Sequence, residues 1–169
     1  PAVVLDGSGT GTIEDVELTR VTGVSAPIAT EGEPLVFVIT MSGASTADLP
    51  LSLALTSGSG TVGVDTGTPV QISFDGGQTF VTVAVGTDGS IETTVPAGAS
   101  SVQVRVPTVS DGASEGSETI GLSATGVDNL VSVDGIGTIV DAVVLPKISV
   151  SDATGSEGQE AVFTISLDK

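Results

Sequence analysis

The chain is predicted to fold as an all-β, antiparallel two-sheet sandwich, and three observations lead there. It is rich in Gly, Thr, Ser and Val and almost without aromatic residues, a composition of strands and turns rather than helices. Apolar and polar residues alternate with period two in a series of short stretches, none of which has helical periodicity. Each alternating stretch is followed by a Gly- or Asp-bearing turn signal.

Taken in order, the alternation predicts strands over 20–26, 34–42, 49–56, 69–74, 78–85, 101–108, 118–125 and 130–140. In the second, Leu35, Phe37, Ile39 and Met41 fall on one face and Val36, Val38 and Thr40 on the other, so the odd-numbered face is the core candidate. Asp75-Gly76-Gly77 between the fourth and fifth reads as a tight hairpin, because glycine accepts the positive φ such turns need. Pro96-Ala97-Gly98 reads as another turn, and the long segment 74–98 is expected to hold an extra hairpin. Phe37, Phe74 and Phe80 are expected in the core of a chain so poor in large side chains. Seven or more short strands over about 125 residues describe a sandwich of immunoglobulin-like type.

The chain also repeats itself. Glu31-Gly32 followed by Val36-Phe37-Val38-Ile39 recurs 126 positions later as Glu157-Gly158 followed by Val162-Phe163-Thr164-Ile165. The same offset relates Gly11-Thr12-Ile13-Glu14-Asp15 to Gly137-Thr138-Ile139-Val140-Asp141. A period this long is a whole domain, so the pattern is one of beads on a string rather than a solenoid. The expected division is a closing strand of a preceding repeat over 1–15, a complete sandwich over 16–141, and opening strands of the next repeat over 142–169. Because two opening strands cannot build a sandwich alone, 142–169 is expected to pack on an edge of this domain or on a neighbouring molecule.

Formal net charge is −17, from 21 acidic against 4 basic residues, which argues against nucleic acid or an anionic membrane as partner and for cations. The longest apolar stretches, such as 35–39, are far shorter than a span of about 20 residues, and no signal peptide is visible, so any export signal lies outside this sequence. Cysteine is absent, which removes disulfides and thiolate metal sites. Histidine, tryptophan and tyrosine are absent too, which removes the commonest general base and the usual sugar-stacking platforms. No convincing base partner remains for a nucleophile, so enzyme activity is not expected.

The densest signal is Asp111-Gly112-Ala113-Ser114-Glu115-Gly116-Ser117-Glu118, a D-x-x-x-E-x-x-E run between two predicted strands. Calcium takes six to eight oxygens, and small residues between acids let one loop supply several of them. If the strands alternate up and down, Glu31, Asp65, Asp111, Glu115 and Asp141 all lie at one end of the sandwich. Five carboxylates gathered there repel one another unless a cation neutralises them. No D-x-D-x-D-G loop and no phosphate-binding loop is present. The run from Gly58 to Asp65 matches the G-G-x-G-x-D calcium repeats only imperfectly and reads as a connecting loop.

On these motifs, together with the Glu31-Gly32 turn before Val36 and the 137–141 run, the chain resembles a Calx-beta-type domain, and in its tandem setting the extender repeats of large bacterial RTX adhesins. The resemblance implies calcium ligation by Glu31, Asp65, Asp111, Glu115, Glu118 and Asp141, with Glu14 and Asp15 as candidates at the preceding junction. Many members carry paired aspartates where this chain has Ser110-Asp111, and an aspartate run where it has Asp141-Ala142, so one or two ions are expected. The function implied is a calcium-stiffened spacer on an extracellular bacterial surface, partnered by neighbouring repeats, with self-association through strand edges a further expectation. Two alternatives stay open: a ligand- or partner-binding module, which the lack of Trp and Tyr disfavours, and a regulatory calcium sensor, which requires tighter affinity than extracellular sites show.

Overall fold

The computed structural model describes residues 10–12, 18–112, 115–142 and 146–168. Its strands are β1 (Val21–Val24), β2 (Ile28–Thr30), β3 (Leu35–Met41), β4 (Leu49–Ser57), β5 (Val70–Ser73), β6 (Val81–Val83), β7 (Ser90–Val95), β8 (Ser101–Val106), β9 (Glu118–Gly126), β10 (Val133–Val140), β11 (Lys147–Val150) and β12 (Ile165–Asp168). The first ten build two five-stranded sheets, ordered β1-β3-β8-β5-β6 and β2-β10-β9-β4-β7, and the last two form a separate hairpin. Every ladder is antiparallel except that between β10 and β2. Among the described residues no helix is long and apolar enough to cross a membrane.

Period-two alternation sends one face of each central strand inward. Leu35, Phe37 and Ile39 of β3 and Val102, Val104 and Val106 of β8 face Leu51, Leu53 and Leu55 of β4 and Ile120, Leu122 and Ala124 of β9, all buried. Gly137 of β10 lets the second sheet settle onto the Phe37 ring, since a Cβ there would stand 2.8 Å from Phe37 Cζ.

Within the sandwich the structure differs from the sequence expectation at four places. The predicted strand over 20–26 ends at Val24, and a further short strand, β2, follows it and crosses to the other sheet, where Ile28, Ala29 and Thr30 pair in parallel with Thr138, Ile139 and Val140. The segment 74–98 holds β7, which pairs with β4, rather than an extra hairpin of its own. The turn at Asp75-Gly76-Gly77 is not tight: the β5–β6 ladder ends at Ile72 and Val81, and the Asp75 carboxylate closes the longer loop by accepting from Thr79 N and Oγ1, Gln78 N and Ser73 Oγ. Phe37 is buried and Phe74 packs against the core, but Phe80 is not core: it carries the Arg105 guanidinium 3.9 Å above its ring.

The tail does not pack on an edge of the sandwich. From 146 to 168 every residue except Ala153 is exposed. Next to its turn, the hairpin nonetheless reproduces the β1–β3 unit at the 126-residue offset. Val24 pairs with Ile39 and Gly23 with Thr40, as Val150 pairs with Ile165 and Ser149 with Ser166. Ser25 N donates to Val38 O at 2.9 Å and Val38 N to Ser25 Oγ at 2.8 Å, while Ser151 N donates to Thr164 O and Thr164 N to Ser151 Oγ, both at 2.9 Å. Gly32 and Gly158 turn at φ +80° and +83°. The copies diverge only at the open end, where β1 bulges between Val21 and Gly23 and β11 runs straight to the Lys147–Asp168 pair.

Candidate functional site

Ladder geometry brings the acidic residues together. Because β2 and β10 are parallel and end level, with Thr30 opposite Val140, the next residues, Glu31 and Asp141, emerge side by side, and Glu31 N donates to Val140 O at 2.9 Å. Antiparallel pairing of Leu35 with Val106 sets the loop after β8 beside the turn before β3, where Thr108 Oγ1 donates to Glu33 O at 2.8 Å. The loop after β4 is tied to the same place by the Thr66–Thr108 bridge and by Val109 N donating to Asp65 O at 3.0 Å. Glu118 opens β9 opposite Ile139, two residues before Asp141.

Within this pole the carboxylates are unequally provided for. Asp65 Oδ2 accepts from Thr61 N at 2.6 Å, which fixes the 61–65 turn, and Asp141 Oδ2 accepts from Glu115 N at 3.0 Å. Glu31 Oε2 and Asp141 Oδ1, by contrast, are sealed from solvent without any hydrogen-bond donor. Burial pushes the Glu31 carboxyl above the usual glutamate range, and the negative charges of Asp141, Asp111 and Glu115 push the same way against a main-chain hydrogen bond from Ala142. Glu118 is raised likewise, first by burial and then by Asp65, Glu115, Glu31 and Asp111. Gly60 makes room for it, since a Cβ at that position would stand 3.2 Å from Glu118 Cβ.

All six residues singled out in the sequence therefore meet at one end of the sandwich, at the point where β10 runs out toward the tail hairpin. Among the described residues, however, no three carboxylates close into a group that could hold a metal as they stand. Ala113 and Ser114, inside the acidic loop, lie outside the described residues, as do Glu14 and Asp15. The donor set itself fits a hard cation: it is all oxygen, and two of its buried oxygens can accept but have nothing to accept from. What the sequence reading missed is the agent of convergence, β2. It is three residues long and turns only Ala29 toward the core, too short for alternation to mark it.

No family model and no curated protein matches this chain. Solved structures do. The apo-form Calx CBD1 domain superposes with a TM-score of 0.50 at 11% identity, over 75% of this chain and 100% of that one. CBD12 from CALX1.2 superposes with a TM-score of 0.50 at 9% identity, over 88% of this chain and 70% of that one. The resemblance to Calx-beta-type domains is thus one of fold, an all-β sandwich.

Proposed function

We propose that residues 16–141 form one calcium-stabilised spacer repeat of a large secreted adhesin at a bacterial cell surface, a structural rather than catalytic role in which neighbouring repeats of the same chain are the partners. The observation that carries this reading is the pair of sealed, donorless oxygens, Glu31 Oε2 and Asp141 Oδ1, at the mouth through which the chain leaves for its next copy. A cation held by Glu31 and Asp141, with Asp65, Asp111, Glu115 and Glu118 around it, offsets the burial and the repulsion that together raise Glu31 and Glu118. The reproduction of the β1–β3 unit by the tail supports the repeat boundaries.

Extracellular calcium modules have dissociation constants of about 10⁻⁴–10⁻³ M, so such a site fills outside a cell and stays empty in cytosol. Ligation adds to native stability by mass action, about 2.7 kcal/mol at a hundredfold excess over one site. The test is thermal unfolding of the whole chain in millimolar calcium, in magnesium and in chelator. A calcium-specific rise in midpoint, lost in the Asp111→Ala, Glu115→Ala double variant, is expected. An identical midpoint in all three would reduce the acidic pole to a solubilising surface.

A further inference from the structure

The outer face of the first sheet carries a second feature that the spacer reading does not use. Val36, Arg105, Gln71 and Thr82 stand directly opposite one another across β3, β8, β5 and β6, so their side chains share one row on one face. Arg105, Gln71 and Thr82 line a cleft of about 470 Å³, walled by Pro34, Pro69 and Pro107. The Arg105 guanidinium carbon lies 3.9 Å from the centre of the Phe80 ring, and its Nε is buried without a hydrogen-bond partner. A chain with 21 acidic residues has set an aromatic ring, rather than a carboxylate, against one of its 4 basic ones.

The ring covers one side of Arg105, and a guanidinium can grip a carboxylate through two parallel in-plane bonds. Arg105 Nε is sealed from solvent and the terminal amines of the guanidinium are not, so a ligand carboxylate in the cleft meets the terminal amines in a charge-assisted pairing. The rest of the wall narrows the ligand. β8 and β5 are each paired on both sides, so their main-chain groups are spent in ladders and cannot receive a peptide backbone. What faces the cleft is an amide and a hydroxyl, Gln71 and Thr82, beside the apolar faces of prolines, a surface suited to ring hydroxyls and C–H groups. We infer that the Arg105 cleft is a binding site for a sugar acid, with Arg105 taking the carboxylate and Gln71 and Thr82 the hydroxyls.

This site is independent of the calcium reading and is tested in both calcium and chelator. The whole chain is titrated with methyl glucuronide, methyl glucoside and acetate while the Arg105 Nε–Hε resonance is followed by NMR. The glucuronide should give a saturable shift, the glucoside none, and acetate a much weaker response. Arg105→Gln should weaken glucuronide binding at least about tenfold, with its unfolding midpoint recorded to confirm the fold. Thr82→Val, on the edge strand β6, gives a second test with Arg105 intact and should weaken the glucuronide several-fold while leaving acetate unchanged. The inference is overturned by no saturable shift, by equal responses to glucuronide and glucoside or to glucuronide and acetate, or by undiminished binding to a folded Arg105→Gln variant.

Discussion

Two regions of this molecule carry the same motif in opposite surroundings. In the first, β1 and β3 are joined through the Gly32 turn, and Phe37 and Ile39 are both 0% exposed. In the second, β11 and β12 are joined through the Gly158 turn, and the counterparts Phe163 and Ile165 are 61% and 69% exposed. Turn geometry, the register next to the turn and the serine-clasped bonds are the same in both. The hairpin's shape is therefore written locally, in Gly, Ser and alternation, whereas its burial is supplied from outside by the second sheet. Local bonding in water contributes modestly, and the stabilising term is the apolar surface covered by the partner sheet.

The largest effect expected from breaking that comparison is at the aromatic pair. Phe37→Ala should cost about 3–5 kcal/mol in denaturant unfolding, the range for emptying a buried phenylalanine site. Phe163→Ala should change it by no more than about 0.5 kcal/mol, as for surface substitutions. Equal losses would mean that the tail is packed in solution. Next comes the acidic twin of the turn. Glu31→Gln should abolish the calcium-dependent gain of about 2.7 kcal/mol expected at a hundredfold excess, whereas Glu157→Gln should leave it intact; a calcium response that survives Glu31→Gln would move the ion away from this pole.

The two turn glycines sharpen the comparison further. Gly32→Ala forces a side chain into the left-handed region and should cost about 1–2 kcal/mol, while Gly158→Ala, at the same φ but outside the cooperative core, should leave the unfolding transition unchanged. The smallest effect sets two acidic regions against each other. Glu31 is raised on folding, so in chelator its native state holds the proton longer, and stability falls as pH rises from the ordinary glutamate value through the raised one. Asp75, held far below the aspartate range first by the Thr79 side chain, contributes stability above that range that is lost as pH falls toward its native value. In chelator at neutral pH, Glu31→Gln should therefore raise the midpoint and Asp75→Asn lower it. Both differences should shrink in acid, and a midpoint for Glu31→Gln below the parent's at neutral pH would contradict the repulsion described at the pole.

Much of this was legible in the sequence because it depended on local pattern. The odd-numbered face of β3 follows from alternation, the offset between Glu31 and Glu157 from the recurring motifs, and the approach of the acidic residues to one end from strand direction. What escaped lacks such a pattern. β2 has three residues and turns only Ala29 toward the core, so its pairing is dictated by β10. β7 buries Ile91 and Val95 but places a half-buried Thr93 between them, which blurs its alternation. Phe80 lies outside the core with its ring against Arg105, two strands away, a long-range pairing that no window of sequence reveals. Glu31, Asp65, Asp111, Glu115 and Asp141 could be placed at one pole from strand direction, and Glu118 through the family resemblance, but the sealing of Glu31 Oε2 and Asp141 Oδ1 depends on how the loops close over them.

The parallel ladder between β2 and β10 has a mechanical consequence. β2 lies near the entry of the sandwich and β10 forms its exit, and Ile28, Ala29 and Thr30 run level and in the same direction as Thr138, Ile139 and Val140. A tension applied between residue 20 and residue 141 draws these two strands past each other along their length. Their bonds, together with those from Thr138 N to Pro27 O and from Glu31 N to Val140 O, are then loaded in shear and share the force at once, whereas an antiparallel pair pulled from one end would unzip bond by bond.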